Sequence, residues 1–218
     1  MMDFEKQRSI MIERQLRTVG VLDAKTLAAF QSTPRHDFVP EAYRELAYAD
    51  IAIPLDHQQE MLPPAIQAQM IQALAIKPTD HVLEVGTGSG YLTAILAQLA
   101  HHVTSVEVFE DLMMQAEQKL HATHANNVTL RCRDYGDGPK DGAAHYDAIL
   151  INGALAMMPE SFYNALKPSG RIVAIMGQAP SMSACVIANV DGKWQVMRLF
   201  ETQALYLVNA TQPDAFHF

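Results

Sequence analysis

The sequence predicts an α/β fold built on a mostly parallel sheet. From about residue 77 onward, short apolar segments alternate with amphipathic helical segments, which is the order that a parallel sheet with crossover helices requires. Before residue 77, apolar residues instead recur at helical spacing. Near the C-terminus, two β-rich segments flank Asp191-Gly192, a dipeptide typical of a tight hairpin turn. We therefore expect a Rossmann-like, doubly wound sheet with an N-terminal helical segment and a C-terminal antiparallel hairpin.

Each element follows from its local pattern. In the first 76 residues we predict three helices, at 4–19, after Asp23, whose carboxylate suits an N-cap, and at 64–76. Parallel strands are predicted at 81–85, 103–107, 128–132, 146–151 and 171–176. Crossover helices are predicted at 89–99 and 110–121, and hairpin strands at 184–190 and 194–199.

Length and composition favour a single domain over residues 1–218. A chain of 218 residues is nearer to one elaborated domain than to two. Hydrophobic residues make up 49% and charged residues 18%, which supplies a sizeable core and excludes a disordered chain. Within this domain, we interpret residues 1–76 as a substrate-side segment and residues 77–218 as a ligand-binding core.

Charge and motif content exclude several classes of partner. The 24 acidic and 16 basic residues give a net charge of -8, so nucleic acid or anionic lipid is not expected as the main partner. No apolar segment approaches the roughly 20 residues that span a bilayer, and the start lacks a signal-peptide core, so we expect a cytoplasmic protein. Cys132 and Cys185 show no metal-binding spacing, the histidines form no H-E-x-x-H frame, and no metal is predicted. The pattern does not indicate an oligomeric state.

A glycine-rich loop follows the first strand of the predicted sheet. An apolar strand from residue 82 runs directly into Gly86-Thr87-Gly88-Ser89-Gly90, which opens a helix. Glycines let the backbone turn sharply and approach a ligand, and the free N–H groups of a helix start favour an anionic group such as a carboxylate. Tyr91 stands where a dinucleotide fingerprint needs its last glycine, and no Lys-Ser/Thr pair follows for a P-loop. The loop therefore predicts a ligand other than NAD or ATP.

Acidic residues follow the next two predicted strands. Glu107 ends the second strand, where a carboxylate can accept both hydroxyls of a ribose. Asp134 follows the third strand and could accept from an exocyclic adenine amine, with Tyr135 beside the ring. Because the carboxyl ends of parallel strands line one crevice, these residues and the glycine loop predict a pocket for an adenosine with an amino-acid tail. S-adenosylmethionine has that shape, so residues 77–218 are interpreted as an S-adenosylmethionine-binding core.

Glu84 is an acid inside an apolar strand. A buried carboxylate is costly unless it is paired. We expect it to contact the ligand's ammonium, directly or through water, in preference to forming a structural bridge.

Two sets of motifs resemble known methyltransferases. The glycine loop, the two strand-end acids and Leu166-Lys167-Pro168-Ser169-Gly170-Arg171 resemble class I S-adenosylmethionine-dependent methyltransferases. A closer likeness lies before the core, in Pro34-Arg35-His36-Asp37-Phe38-Val39-Pro40 and Ile53-Pro54-Leu55, which is similar to the N-terminal region of protein-L-isoaspartate O-methyltransferases. This resemblance covers roughly residues 11–177. It implies methylation of isoaspartyl carboxylates in damaged proteins. The adjacent backbone nitrogen then attacks the ester carbonyl and expels methanol to form a succinimide, which reopens partly to normal aspartate.

The resemblance is weaker on the acceptor side. The family carries a G-Q-T-I-S-x-P stretch whose serine belongs to the active site, and here Leu62 stands at the serine position. The family's T-A-A-x-P segment is also altered, and begins here at Asn152. Leucine cannot donate or accept a hydrogen bond, so the acceptor-side residues are predicted only as candidates: Gln59, Leu62, Asn152 and His57, the last as a possible base. A methyltransferase with another small-molecule or protein acceptor, and a non-catalytic S-adenosylmethionine-binding protein, remain alternatives.

Overall fold

The N-terminal region is mostly helical and contains one small hairpin before its last helix. The computed structural model describes residues 3–140 and 145–212. Helix α1 (Phe4–Met11) continues through a π-helical turn and a 3₁₀ turn to Val19, so the predicted helix over 4–19 is helical but not α-helical throughout. Asp23 caps α2 (Ala24–Ser32), as predicted, by accepting from the backbone N–H of Thr26. The two-residue strands β1 (Ile53–Pro54) and β2 (Glu60–Met61) precede α3 (Pro64–Leu74).

The remaining elements alternate between strands and helices. The helices of this part are α4 (Tyr91–Leu99), α5 (Glu110–Ala122) and α6 (Glu160–Ala165). The strands are β3 (His81–Val85), β4 (His102–Glu107), β5 (Val128–Cys132), β6 (Tyr146–Leu155), β7 (Leu166–Gln178), β8 (Ser181–Val190) and β9 (Lys193–Glu201).

These seven strands form one sheet in the order β5-β4-β3-β6-β7-β8-β9. Strands β3 to β7 pair in parallel, whereas β8 and β9 pair antiparallel. The predicted fold class is thereby confirmed. Because β3, β4, β5 and β6 run in the same direction, their carboxyl ends meet at one edge of the sheet.

The C-terminal hairpin turns at the predicted dipeptide. Val190 pairs with Lys193, which leaves a two-residue loop. Asp191 has φ 52° and Gly192 has φ 80°, the backbone of a type I′ turn. This turn lies at the sheet edge opposite the carboxyl ends of the parallel strands.

Apolar side chains cover both faces of the sheet. In β3, Val82 packs on the face covered by α1 to α4, whereas Leu83 packs on the opposite face with Phe162 of α6. This alternation follows the two-residue period of a strand. Within the described residues, no helix has the length and apolar content needed to cross a bilayer.

The structure also differs from the predicted elements at α4, at α6 and after β9. Helix α4 begins at Tyr91 instead of residue 89, because Gly90 adopts a left-handed conformation (φ 83°). Helix α6 was not predicted, since six residues are too few to show a helical period. After β9, residues 202–212 return to the carboxyl edge of the sheet, where Tyr206 bridges to Ala154. We call residues 202–212 the C-terminal tail.

Candidate active site

A cleft opens at the carboxyl ends of the parallel strands. It encloses about 890 Å³ between protein atoms, including its open mouth. One wall is the glycine loop with the ends of β4 and β5; a second is the N-terminal segment around β2; the third is the tail. The lining includes residues of all three walls: Gly86–Ser89, Glu107, Asp134–Gly136, Gln59–Leu62, Asn152 and Ala204–Val208.

The glycine loop has a backbone that side chains disfavour. Gly86, Gly88 and Gly90 have φ of 90°, 53° and 83°. Glycine adopts this region without a steric cost, and the first two line the cleft. Gly90 does not line it: a Cβ there would lie 3.1 Å from the Cβ of Ala116, so this glycine lets α5 pack closely.

Hydroxyl side chains hold the loop from beneath. The Thr87 and Ser105 hydroxyl oxygens are 2.6 Å apart, and Ser89 Oγ accepts from the backbone N–H of Tyr91 at 3.3 Å. Both Thr87 and Ser89 are buried and line the cleft. The predicted loop residues, except Gly90, therefore lie together at the cleft.

Glu107 joins the end of β4 to the glycine loop. Its carboxylate accepts from the backbone N–H groups of Gly88 (2.8 Å), Val108 (2.9 Å) and Phe109 (3.2 Å). The side chain is 6% exposed and lines the cleft. Charge-assisted bonds from backbone donors fix the carboxylate without using all of its acceptor capacity.

Asp134 and Tyr135 border the cleft next to Glu107, as predicted. Asp134 is exposed, and its two oxygens accept from the backbone N–H of Gly136 (2.9 Å) and from the side-chain amide of Asn209 (3.0 Å). Tyr135 is buried against the sheet. The three strand-end groups that the sequence singled out thus share one cleft.

Glu84 lies behind the cleft wall. It is fully buried and accepts from Thr93 Oγ1 (2.5 Å), Ser105 Oγ (2.7 Å) and Asn152 Nδ2 (2.8 Å). Burial is the main cause that raises the pKa of Glu84 to about 7, against the opposing effect of these donors. The expected contact with a ligand ammonium stays a prediction, since Glu84 is fully buried and only its partner Asn152 lines the cleft.

Asn152 connects Glu84 with the glycine loop. Its amide nitrogen also donates to the Gly86 carbonyl at 2.9 Å. Its amide oxygen is buried without a hydrogen-bond partner among the described residues, although the residue lines the cleft. An unpartnered acceptor in this position suits a positively charged ligand group.

Leu62 and Gln59 lie on the N-terminal wall. Leu62 is 4% exposed and presents an apolar side chain. Its carbonyl accepts from Arg35 Nη2 at 2.8 Å, and Arg35 also donates to Gln67 Oε1. Arg35 is fully buried and packs over the Tyr91 ring. It belongs to the N-terminal motif, but no pattern around it indicated that it supports the cleft wall.

His57 lies outside the cleft lining. Its Nε2 is 2.8 Å from Asp111 Oδ2, and its ring stacks on Phe109 with centroids 4.1 Å apart. This contact lowers the pKa of Asp111. The imidazole of His57 therefore connects the loop before β2 to the start of α5. Of the other acceptor-side candidates, Gln59 contacts His57, since its side-chain nitrogen donates to the His57 backbone carbonyl at 3.0 Å.

The C-terminal tail forms a wall that sequence reasoning missed. Its residues 204–208 line the cleft, held by hydrogen bonds from Ala154 N to Leu205 O (2.8 Å) and from Leu207 N to Ala154 O (2.9 Å). No motif marks this segment, because its position depends on main-chain contacts. Among residues 3–140 and 145–212, no three His, Cys, Asp or Glu side chains come together as metal ligands.

The donors and acceptors of the cleft fit the predicted cofactor. Two strand-end carboxylates can take hydroxyls and an amine, and the unpartnered Asn152 oxygen can take an ammonium. The fold and the cleft define a class I S-adenosylmethionine-dependent methyltransferase. The family model for protein-L-isoaspartate(D-aspartate) O-methyltransferase matches residues 6–211. The chain belongs to this family, which confirms the resemblance and the prediction of a carboxyl O-methyltransferase.

Individual relatives agree with this assignment. A protein-L-isoaspartate O-methyltransferase from Opitutus terrae is 42% identical over 176 residues, which cover 80% of this chain and 75% of the relative. Protein-L-isoaspartate O-methyltransferase 2 from Pelobacter propionicus is 40% identical over 191 residues, 87% of this chain and 84% of the relative. A Plasmodium falciparum protein of the same type, crystallised with S-adenosyl-L-homocysteine, has the same fold, with a TM-score of 0.80 at 17% identity over 95% of this chain and 99% of that one.

Proposed function

We propose that this chain methylates the carboxylate of isoaspartyl residues in damaged proteins or peptides, with S-adenosylmethionine as methyl donor. The observation that carries the proposal is the three-walled cleft, in which a cofactor-side wall faces the N-terminal segment and the tail. The family match extends over both of these acceptor-side walls.

The cofactor-side residues have distinct proposed roles. Glu107 accepts the ribose hydroxyls with the acceptor capacity that its three backbone donors leave free. Asp134 accepts from the adenine amine, and Tyr135 lies beside the ring. Asn152, supported by Glu84, receives the ammonium of the amino-acid tail.

The reaction demands little proton chemistry from the protein. When bound, S-adenosylmethionine would supply a methyl group on a positively charged sulfur. A nucleophile would attack the methyl carbon in line and displace the sulfur. An isoaspartyl carboxylate is ionised at neutral pH, with an ordinary pKa near 4, so it attacks without a base. The chain's task is to hold that carboxylate about 3 Å from the methyl carbon, aligned and partly stripped of water.

The acceptor wall suits this limited task. Leu62 supplies an apolar surface that excludes water. The Gln59 side-chain nitrogen donates to the His57 carbonyl at 3.0 Å, which leaves its amide oxygen as the polar contact on this wall. His57 bonds to Asp111 outside the cleft lining, which agrees with a reaction that needs no base. Arg35 fixes the backbone of the wall through the Leu62 carbonyl.

A second candidate function is methylation of a different acceptor. It is favoured by Leu62, which stands in place of the polar serine of the family pattern, and by the altered T-A-A segment, which begins here at Asn152. An acceptor that binds by apolar contact would suit Leu62 better than a carboxylate does.

A pair of matched peptides separates these functions. The protein is incubated with methyl-labelled S-adenosylmethionine and a synthetic peptide that contains isoaspartate, or the same peptide with normal aspartate. We expect base-labile methyl ester and stoichiometric S-adenosylhomocysteine with the isoaspartyl peptide only. Cofactor binding by calorimetry without any ester on the isoaspartyl peptide would reject the proposal and favour another acceptor or a non-catalytic role.

The organisation and location of the chain are also proposed. Residues 1–218 would fold as one domain, with 1–76 on the substrate side, because α1 to α3 share an apolar core with β3 and α4. Both cysteines are free thiols, as is usual in a reducing cytoplasm.

A further inference from the structure

The tail contacts the cofactor side of the cleft as well as the acceptor side. Towards its start, Leu205 and Leu207 exchange backbone hydrogen bonds with Ala154, and the segment between them lines the cleft. Two residues later, the Asn209 amide donates to Asp134 Oδ2 at 3.0 Å. The tail thus links Ala154, at the end of β6, to Asp134, the carboxylate assigned to the adenine amine.

The contact at Asn209 depends on an unusual local geometry. A Cβ at Gly136 would lie 2.5 Å from the carbonyl carbon of Asn209, so only glycine allows the tail to approach this closely. Asn209 itself has φ 59°, a region that asparagine tolerates better than most residues. The Gly136 N–H donates to the other oxygen of Asp134 at 2.9 Å, so the carboxylate is oriented from both sides.

We infer that Asn209 is a positioning residue that couples cofactor binding to the order of the C-terminal tail, which forms one acceptor-side wall of the cleft. By orienting Asp134 it prepares the carboxylate for the adenine amine, and a ligand that stabilises this arrangement also stabilises the tail. Coupling of this kind is reciprocal, so an ordered acceptor wall must in turn favour the cofactor. The inference rests on the proposed function: the response of the tail depends on the role of Asp134 towards the cofactor, and the effect on peptide binding depends on the proposed acceptor.

Hydrogen exchange of the full chain tests the first step without turnover. The amides of Leu207 and Ala210, which donate to Ala154 O and Leu207 O, report on the tail. With saturating S-adenosylhomocysteine, we expect their exchange to slow about fivefold or more. The variant is Asn209→Gly, which removes the amide but keeps the backbone conformation accessible. In this variant the slowing should fall below about twofold, a change within the range of weak coupling.

Asn189→Ala is the matched control. Asn189 accepts from the Gly192 N–H at 2.9 Å in the hairpin at the opposite sheet edge, so its loss should leave the response of the tail unchanged. If S-adenosylhomocysteine does not change the exchange of the Leu207 and Ala210 amides in the unmodified chain, the inference is overturned. Full slowing in Asn209→Gly would also overturn it.

Peptide affinity then tests the coupling itself. S-adenosylhomocysteine should tighten binding of an isoaspartyl peptide to the unmodified chain, and this enhancement should be lost in Asn209→Gly. A chain that shows the tail response but binds no isoaspartyl peptide would contradict the proposed function while supporting the inference. Equal enhancement in both proteins would reject the coupling.

Discussion

Replacement of Glu84 by glutamine should stabilise the protein at high pH. The folded pKa of Glu84 is about 7, against an ordinary value of 4.5. Between pH 4.5 and 7, the Glu84 carboxyl is ionised in the unfolded chain but not in the folded chain. The free energy of unfolding therefore falls as the pH rises through this range, and the full loss is present above pH 7. The difference corresponds to about 3 kcal/mol.

Glutamine can satisfy the same partners without a charge. Its carbonyl oxygen can accept from Asn152 Nδ2, and its amide can donate to the Thr93 and Ser105 hydroxyls, which are able to reverse their donor roles. We therefore expect Glu84→Gln to be more stable than the unmodified chain by up to about 3 kcal/mol at pH 8.5, but by only about 1 kcal/mol or less at pH 5. For a chain of this size, this is a rise in Tm of roughly 6–12 °C at the higher pH.

Urea denaturation at pH 5 and pH 8.5 measures this difference. Glu117→Gln, at an exposed position of α5, is the control and should show no comparable dependence on pH. A Glu84→Gln protein that is equally stable or less stable at pH 8.5 would refute the argument from buried charge. Calorimetry completes the test: affinity for the positively charged cofactor should rise with pH through about 7 in the unmodified chain, and this rise should be absent in the variant.

Three further substitutions test the site and its loops. Glu107→Gln should raise the Kd for S-adenosylhomocysteine about 10- to 100-fold, because charge-assisted acceptance is lost; an unchanged Kd in calorimetry would contradict the assignment. Leu62→Ser should raise kcat/KM for an isoaspartyl peptide at a cost of about 1–3 kcal/mol in stability, and initial rates that do not increase would mean that the acceptor wall differs from the family beyond one hydroxyl. Gln58 has φ 58° where the family pattern has glycine, so Gln58→Gly should stabilise by about 0.5–1 kcal/mol in thermal unfolding; Gln58→Ala should give no such gain, and an equal gain would rule out backbone strain as the cause.

Local sequence patterns predicted most of the central sheet. The five parallel strands, the crossover helices and the Asp191-Gly192 turn follow from short-range periodicity and turn chemistry, which are written in adjacent residues. Helix α6 and the two-residue strands β1 and β2 were missed because so few residues show no period.

The sequence also predicted which residues meet at the carboxyl edge of the sheet. Glu107 ends its strand, and Gly86, Gly88 and Asp134 come shortly after theirs. Because the strands are parallel, these positions meet at one edge of the sheet. Glu84 was singled out as a buried acid, but its three hydroxyl and amide partners come from separate elements and could not be read from its own strand.

The sequence by itself determined the fold class, the glycine loop, the strand-end acids and the family, because these depend on residues close together in the chain. Only the tertiary structure decided how the acceptor side is built. It placed Arg35 beneath Leu62, moved His57 away from the cleft lining to Asp111, and brought the tail back to Ala154 and Asp134. Such contacts join residues tens of positions apart through packing and main-chain hydrogen bonds. They leave no periodic signal in the sequence, because the partners are far apart in the chain and because almost any residue supplies the backbone N–H or C=O that the main-chain contacts use.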